Sequence, residues 1–319
     1  MAADKVDDLF LAASLYYGQG QTMEAVARRL MTSRSTVSRL LKAAREQGIV
    51  SITVNDPSRG VQGAARKIQD VFSVAVSVVP LPADTTESER LKLVAAEGAR
   101  ILESLVDSSM ILAVAWGNTT AAIAQEIRSR GARHGGGVIV QLNGAANTRT
   151  SGVSYTAALL SRFARAFGAS VLDFPVPTFF DSATTKELMW RERSITRVLK
   201  VQAKADVAVM SVGTLDGPLP SHVYTAGYLD SADMRTLRRE AVAGDVCTVF
   251  LREDGTYADI EMNKRASGPT PEQLGLIGRR LLVVAGDAKV DGLLGALRAG
   301  VATDLVVDER TASLLAHRL

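Results

Sequence analysis

Six cations, Arg28, Arg29, Arg34, Arg39, Lys42 and Arg45, lie between residues 28 and 45 without a single Asp or Glu among them. Positive charge concentrated in this way suits a phosphate backbone. Within the same stretch Val37, Leu40, Leu41 and Ala44 recur at helical spacing, which leaves Ser35, Ser38, Arg39 and Lys42 on the opposite face. A reading helix presents its first turns to the major groove, so Arg34, Ser35, Ser38 and Arg39, with Thr36 beside them, are the candidates for base contact. Arginine can pair bidentately with guanine O6 and N7, worth about 1–3 kcal/mol of discrimination per good pair. Lys42, Arg45 and Arg28 suit phosphates, where they add affinity and salt dependence but little sequence choice. A basic amphipathic helix alone is as often a solvated face; the neighbouring helices and their spacing favour double-stranded DNA.

A second set of residues suits a small polar molecule. The apolar run Met110 to Ala115 leads into Trp116-Gly117-Asn118-Thr119-Thr120, which opens a helix running to about Arg130. Backbone N–H groups at a helix start, a glycine that permits close approach and two threonine hydroxyls could cradle an anion or sugar hydroxyls, although a plain threonine-capped turn reads the same way. Gly286-Asp287-Ala288-Lys289 is a second place where a strand ends and a helix begins. A lysine there opposes the helix dipole unless an anion is bound. Asn143-Gly144 and Gly213-Thr214 occupy equivalent strand-end positions.

These groups need elements to position them. Three helices are expected first, from Lys5 to Tyr17, Thr22 to Leu30 and Ser33 to Gln47. Gly18 and Gly20 end the first, Thr22 and Ser33 cap the others, and Gly48 closes the third. The turn at Leu30 to Thr32 lacks the glycine often found in helix-turn-helix motifs. A short strand at Ile49 to Val54 and a linker over Asn55 to Gly63 follow, and Ala64 to Val71 reads as a connecting helix. Beyond it, apolar runs at Val74 to Val79, Met110 to Ala115, Val138 to Leu142, Ala169 to Phe174, Val207 to Val212, Val246 to Leu251, Leu281 to Ala285 and Leu305 to Val307 are separated by helical patterns. Continuous apolar strands joined by crossover helices imply a mostly parallel sheet covered on both faces, with ligands at its carboxyl end. The expected fold is thus α/β, with a helical helix-turn-helix domain over 1–56 and a larger effector-binding domain over 57–319.

Composition agrees with two globular domains: 319 residues, 47% apolar and 22% charged. The net charge of +3 says little about nucleic acid by itself, so the placement of the charge carries that argument. One cysteine, Cys247, permits no internal disulfide, and His134, His222 and His317 lack metal-ligand spacing, so no metal or other cofactor is expected. Asp4, Asp7 and Asp8 do not resemble a signal peptide, and the longest apolar stretches fall well short of the roughly 20 residues of a membrane span. The expected compartment is the cytoplasm.

The motifs Leu15-Tyr16-Tyr17-Gly18 with Gln21, Ala25-Val26-Ala27, Ser33-Arg34 with Thr36-Val37-Ser38-Arg39-Leu40-Leu41, and Ala44-Arg45-Glu46-Gln47-Gly48-Ile49-Val50 resemble the SorC family of sugar-responsive transcriptional regulators. So do Val140-Gln141-Leu142-Asn143-Gly144, Ala243-Gly244-Asp245 and the closing segment Leu305 to Leu315, which extends the resemblance over nearly the whole chain. It implies a regulator of operator DNA controlled by a sugar, polyol or sugar phosphate, assembled as a homotetramer, with an effector domain resembling sugar-phosphate isomerases. It also places Asp245, just ahead of the strand read at Val246 to Leu251, in the effector pocket, and it matches Lys289 to the lysine of a Gly-Gly-x-x-Lys pattern in which Ala285-Gly286 replaces the glycines. Asn118 stands where the family often carries a cation. An isomerase-like enzyme fused to a winged-helix docking segment is the alternative, with Asp245 and Lys289 as a nominal acid–base pair, but no histidine–acid pair, nucleophile elbow or Walker loop accompanies them.

Overall fold

The structure is a computed structural model that describes residues 2–50, 57–128, 136–147, 149, 151–217 and 221–319. The chain divides into two compact units, Met1–Pro57 and Ser58–Leu319.

The first unit holds α1 (Ala2–Ala13), α2 (Met23–Arg29) and α3 (Arg34–Glu46). The first helix was expected to run to Tyr17. Instead α1 stops at Ala13 and Ser14–Gly18 continue as a wider, π-helical turn that buries Leu15. Thr22 and Ser33 cap as their types require, their hydroxyls accepting the Ala25 and Thr36 amides at 3.3 and 3.2 Å. In the glycine-free turn, Met31 adopts a left-handed φ of 46° and is 94% exposed. Leu9, Leu15, Val26, Val37, Leu41 and Ala44 close one small core, on which Leu40, Ile49 and Val50 pack. The strand expected at Ile49 to Val54 lies outside the described residues from Ser51 onward. Ile49 and Val50 turn back instead, both amides donating to the Ala44 carbonyl.

From Ser58 onward α4 (Pro57–Phe72) belongs to the second unit, and it corrects the expected linker: Asn55 and Asp56 lie outside the described residues, but Pro57 to Gly63 are helical. Proline is compatible with a first helical turn because its missing N–H would have no partner there, and Ala64 and Ile68, one turn apart, anchor the helix in the core. There follow β1 (Ala75–Val79), α5 (Glu87–Leu105), β2 (Ile111–Val114), α6 (Asn118–Glu126), β3 (Val138–Gln141), α7 (Val153–Phe167), β4 (Ser170–Leu172), α8 (Ala183–Met189), α9 (Arg193–Gln202), β5 (Val207–Met210) and β6 (Val212–Gly213). The remainder is α10 (His222–Thr225), α11 (Ser231–Arg239), β7 (Val242–Val246), β8 (Val249–Arg252), α12 (Pro271–Gly275), β9 (Arg279–Val284), α13 (Val290–Arg298), β10 (Asp304–Asp308) and α14 (Glu309–His317).

Seven strands form a wholly parallel sheet in the order β1-β10-β9-β5-β2-β3-β4. Its central strands read as unbroken apolar runs because both faces are covered. Ala113, Ala208, Met210, Leu282 and Val284 enter one core, while Leu112, Val114, Val207, Val209, Leu281 and Val283 enter the other. The chain steps outward from β2 to β3 and β4, then returns to place β5 on the other side of β2. The loops after β2 and β5 therefore part, which opens a crevice at the carboxyl ends of these strands.

Two expected strands are corrected. Val207 to Val212 splits at Ser211, so that Val212–Gly213 joins a separate three-stranded antiparallel sheet, β6-β7-β8. Val246 to Leu251 is a tight hairpin: Cys247 and Thr248 take φ of 51° and 70° between β7 and β8. Positive φ at both central residues matches the twist of a two-residue hairpin, but neither residue type announces such a turn. Gly244 and Asp245 accordingly lie within β7, not ahead of a strand. Among the described residues, no helix is long and apolar enough to cross a membrane.

Candidate functional site

The α3 surface carries its candidates where the spacing placed them. Arg28, Arg34, Ser35, Ser38, Arg39, Lys42 and Arg45 are exposed, and Thr36 is half-buried. Two details change the picture of an acid-free face. Arg34 pairs with Glu24 at 3.0 Å, and Lys42 stands 3.8 Å from Glu46, so acids flanking the basic stretch reach into it. Exposed pairs of this kind contribute little and exchange readily for phosphates. Thr36 is partly committed to the cap, its hydroxyl 2.9 Å from Ser33 Oγ.

In the second unit, a cavity of about 330 Å³ opens at the crevice between the β2 and β5 loops. Of the ten positions expected at an effector site, nine line it: Gly117, Asn118, Thr119, Thr120, Asn143, Gly213, Thr214, Asp245 and Lys289. Gly144 does not. It is a packing glycine whose added Cβ would fall 2.4 Å from the Val176 and Pro177 carbonyls, and its own carbonyl accepts from Trp116 Nε1 and Thr178 Oγ1, each at 2.8 Å.

Asn143 is held by its surroundings. The Gln141 amide donates to the Asn143 carbonyl at 2.7 Å, its oxygen accepts the Phe174 amide, and Trp116 Nε1 reaches the Asn143 carbonyl at 3.1 Å. This fixes a turn that leaves Asn143 only 1% exposed, with its side-chain Oδ1 making no hydrogen bond. Asp245 is similar. It is 5% exposed, one oxygen accepts the Thr248 amide at 3.0 Å across the hairpin turn, and Oδ1 has no partner. The β6–β7 ladder sets Gly213 opposite Asp245, and a Cβ at Gly213 would lie 2.0 Å from that free oxygen.

Burial pushes the Asp245 carboxyl up to about 6, while the Tyr224 hydroxyl, the Thr248 amide and the Lys289 charge pull it down. Tyr224 faces this carboxylate but makes no hydrogen bond of good geometry to it; burial first, and the nearby negative charge, push its phenol well up. Burial lowers the Lys289 ammonium to about 8 against the opposing pull of Asp245 and Glu87, and its side chain makes no ion pair or hydrogen bond among the described residues, while its backbone amide donates to the Gly286 carbonyl at 3.1 Å. Cys247, on the same hairpin, is buried and its thiol is pushed up by burial.

The two threonines are partly spent. Thr120 donates to the Gly117 carbonyl at 3.0 Å, and Thr119 accepts from Ser211 at 3.1 Å. Thr214 donates its hydroxyl to the Asp216 and Ala288 carbonyls at 3.0 and 3.2 Å, tying the β6 loop to the segment that carries Lys289. Gly286 occupies a positive φ of 110°, which lets its amide reach Asp308 at 3.1 Å.

Several lining residues were not singled out from the sequence. Trp116 and His222 form part of an aromatic wall: Trp116 stacks on Tyr228 at 5.2 Å and His222 on Tyr155 at 5.3 Å. Glu87 and Asp287 line the rim, both contacting Arg90, which is 3% exposed. Glu87 was within reach of sequence reasoning, since it opens the helix after β1 behind the Thr86 capping box. His222 was not, because nothing local says that its loop folds over the crevice.

Residues 56–316 match a family model described as "Putative sugar-binding domain". Similar chains include the deoxyribonucleoside regulator of Bacillus subtilis (strain 168), 30% identical over 97% of this chain and 96% of its own length. The sorbitol operon regulator of Klebsiella pneumoniae is 24% identical over 98% of both chains. Among solved structures, a domain of "a possible sugar-binding transcriptional regulator" from Arthrobacter aurescens TC1 superposes with a TM-score of 0.74 at 45% identity, covering 80% of this chain and 96% of that one. The full-length sorbitol operon regulator SorC from Klebsiella pneumoniae shares the fold over 98% of this chain and 99% of its own, with a TM-score of 0.70 at 23% identity. A family model spanning most of the chain, a relative similar from end to end and the motifs of both units lead to one conclusion: the chain belongs to the SorC family of sugar-binding transcriptional regulators.

Proposed function

We propose that this chain is a transcriptional regulator that binds operator DNA through the exposed face of α3 and whose operator affinity is set by a carbohydrate held in the cavity at the β2–β5 crevice. The observation that carries the effector half is the pair of buried acceptors, Asn143 Oδ1 and Asp245 Oδ1, left without hydrogen bonds in a cavity that also presents Lys289. Buried polar atoms without partners cost free energy, and a polyhydroxy ligand supplies the missing donors. The DNA half rests on six cations along α2 and α3, with Arg34, Ser35, Ser38 and Arg39 toward base edges and Lys42, Arg45 and Arg28 toward phosphates.

In this reading the second unit assembles the protein, as a tetramer, so that paired helix-turn-helix units meet half-sites about one helical turn or a multiple apart. A ligand that binds one quaternary arrangement better than another then shifts operator affinity by its differential affinity and no more. The relatives named above are regulators, which favours this reading over isomerase-like turnover at Asp245 and Lys289.

The test is fluorescence anisotropy of labelled DNA from the protein's own promoter, titrated at two salt concentrations with sugars, polyols and sugar phosphates added in turn. The expected result is specific, salt-sensitive binding that one compound releases or tightens. Binding no stronger than to random DNA, with turnover of a sugar phosphate, would replace the regulator with the enzyme.

A further inference from the structure

The charges in and directly behind the cavity do not suit a phosphorylated ligand. Glu87, Asp245 and Asp287 line it, and Asp308 sits directly behind Gly286, whose amide it accepts. Against these four carboxylates stand three cations. Arg90 is committed to Asp287 at 2.9 Å and Glu87 at 3.3 Å, and Arg310 to Asp287 at 2.7 Å. Lys289 is the one Lys or Arg in the lining among the described residues, and it faces Asp245 and Glu87. The formal sum is already −1 before anything binds. A phosphate monoester brings up to two more negative charges near pH 7, and Lys289, which makes no ion pair but already faces Asp245 and Glu87, is the single cation left to meet them.

Beside the unpaired Lys289 ammonium and Tyr224 hydroxyl, two buried acceptors at the cavity lack partners. Asn143 Oδ1 and Asp245 Oδ1 are acceptors, so whatever satisfies them must donate hydrogen bonds. Sugar and polyol hydroxyls donate; the oxygens of a phosphate dianion only accept. The α6 start, the place most suited to an anion, presents an uncharged Asn118, and its Thr120 hydroxyl is already donated to the Gly117 carbonyl.

We infer that the cavity takes an uncharged polyhydroxy compound, a free sugar or polyol, and discriminates against its phosphate ester; the inference rests on the effector reading of this cavity. Asp245 and Asn143 accept ligand hydroxyl protons, Lys289 donates to a ligand oxygen, and the rim carboxylates Glu87 and Asp287 repel phosphorylated competitors.

The experiment uses the full-length protein and matched pairs: D-ribose, 2-deoxy-D-ribose, D-glucitol and D-fructose, each with its terminal phosphate ester, measured by titration calorimetry. At least one free compound should bind about tenfold or more tighter than its ester. An ester that binds as tightly as, or more tightly than, its free form overturns the inference.

A second measurement decides even if no compound of the panel binds. Inorganic phosphate at about 10 mM should shift the melting temperature of the wild type and of Lys289→Met by amounts within about 2 °C of each other, because only general salt effects act on both. A wild-type shift larger than that of the variant by more than this margin reveals a phosphate site and refutes the inference. Operator binding in the same samples separates the two readings. An ester that binds and releases DNA removes the neutral-ligand inference but keeps the regulator, whereas absence of specific operator binding removes the regulator itself.

Discussion

Asp245→Asn asks whether a buried carboxylate is kept for binding at the expense of stability. Burial raises this carboxyl from 3.8 to about 6 in the folded protein. A difference of about 2 units corresponds to about 3 kcal/mol. Below about pH 3 the group is protonated in both states and costs nothing. As the pH rises toward 6 the unfolded chain ionises first and binds fewer protons than the folded one, so stability falls across that window and the whole penalty is present by pH 7. Asparagine is neutral throughout. The variant should therefore lose this component of the pH dependence and gain about 1–3 kcal/mol at pH 7.5, the lower end applying if the Lys289 attraction and the Thr248 bond are poorly replaced. For a domain of this size that is a rise of about 2–10 °C in melting temperature. Both tryptophans, Trp116 and Trp190, lie in the second unit, so fluorescence-detected unfolding reports on that unit alone. Effector affinity, read by operator release, should fall at least about tenfold as a ligand hydroxyl loses its charged acceptor and an amide N–H donor takes the place of one oxygen. A variant less stable than wild type at pH 7.5, or one with an unchanged difference between pH 4 and 7, would refute the reasoning and make Asp245 a structural residue.

Three further outcomes are expected. Arg39→Glu, at an exposed site, should weaken specific operator binding by at least about tenfold while oligomer size and effector binding stay unchanged; misfolding seen by gel filtration would instead make Arg39 a packing residue. Lys42→Ala should weaken binding to all DNA sequences alike and lower the log–log salt slope by about 1, and an unchanged slope would remove Lys42 from the phosphate contacts. Gly213→Ala sets a Cβ 2.0 Å from Asp245 Oδ1, so it should cost about 1–3 kcal/mol in urea unfolding and blunt the effector response. Wild-type stability there would mean that the β6–β7 ladder does not hold the carboxylate.

The sequence by itself determined what depends on near neighbours. Thr22 and Ser33 cap the helices as read, and Val37, Leu41 and Ala44 set which face of α3 is buried, because caps and helical periodicity act within four residues. The apolar runs of the central strands were legible because a strand covered on both faces needs no alternation, and their ends pointed to the crevice where nine of ten expected residues now meet. Where the cue was weak or non-local, the reading failed. Pro57 to Gly63 have a linker's composition but are helical because Ala64 and Ile68 reach a core built from distant strands. Cys247 and Thr248 carry no turn signal, so the hairpin that places Asp245 inside β7 follows from pairing with β6 and β8. Gly144, read as a ligand contact, is a glycine because the Val176 and Pro177 carbonyls leave no room for a Cβ. The balance of Glu87, Asp287 and Asp308 against Arg90, Arg310 and Lys289 joins residues far apart in the chain. Charge compensation and burial act through space, and only the folded sheet brings these groups within reach of one another.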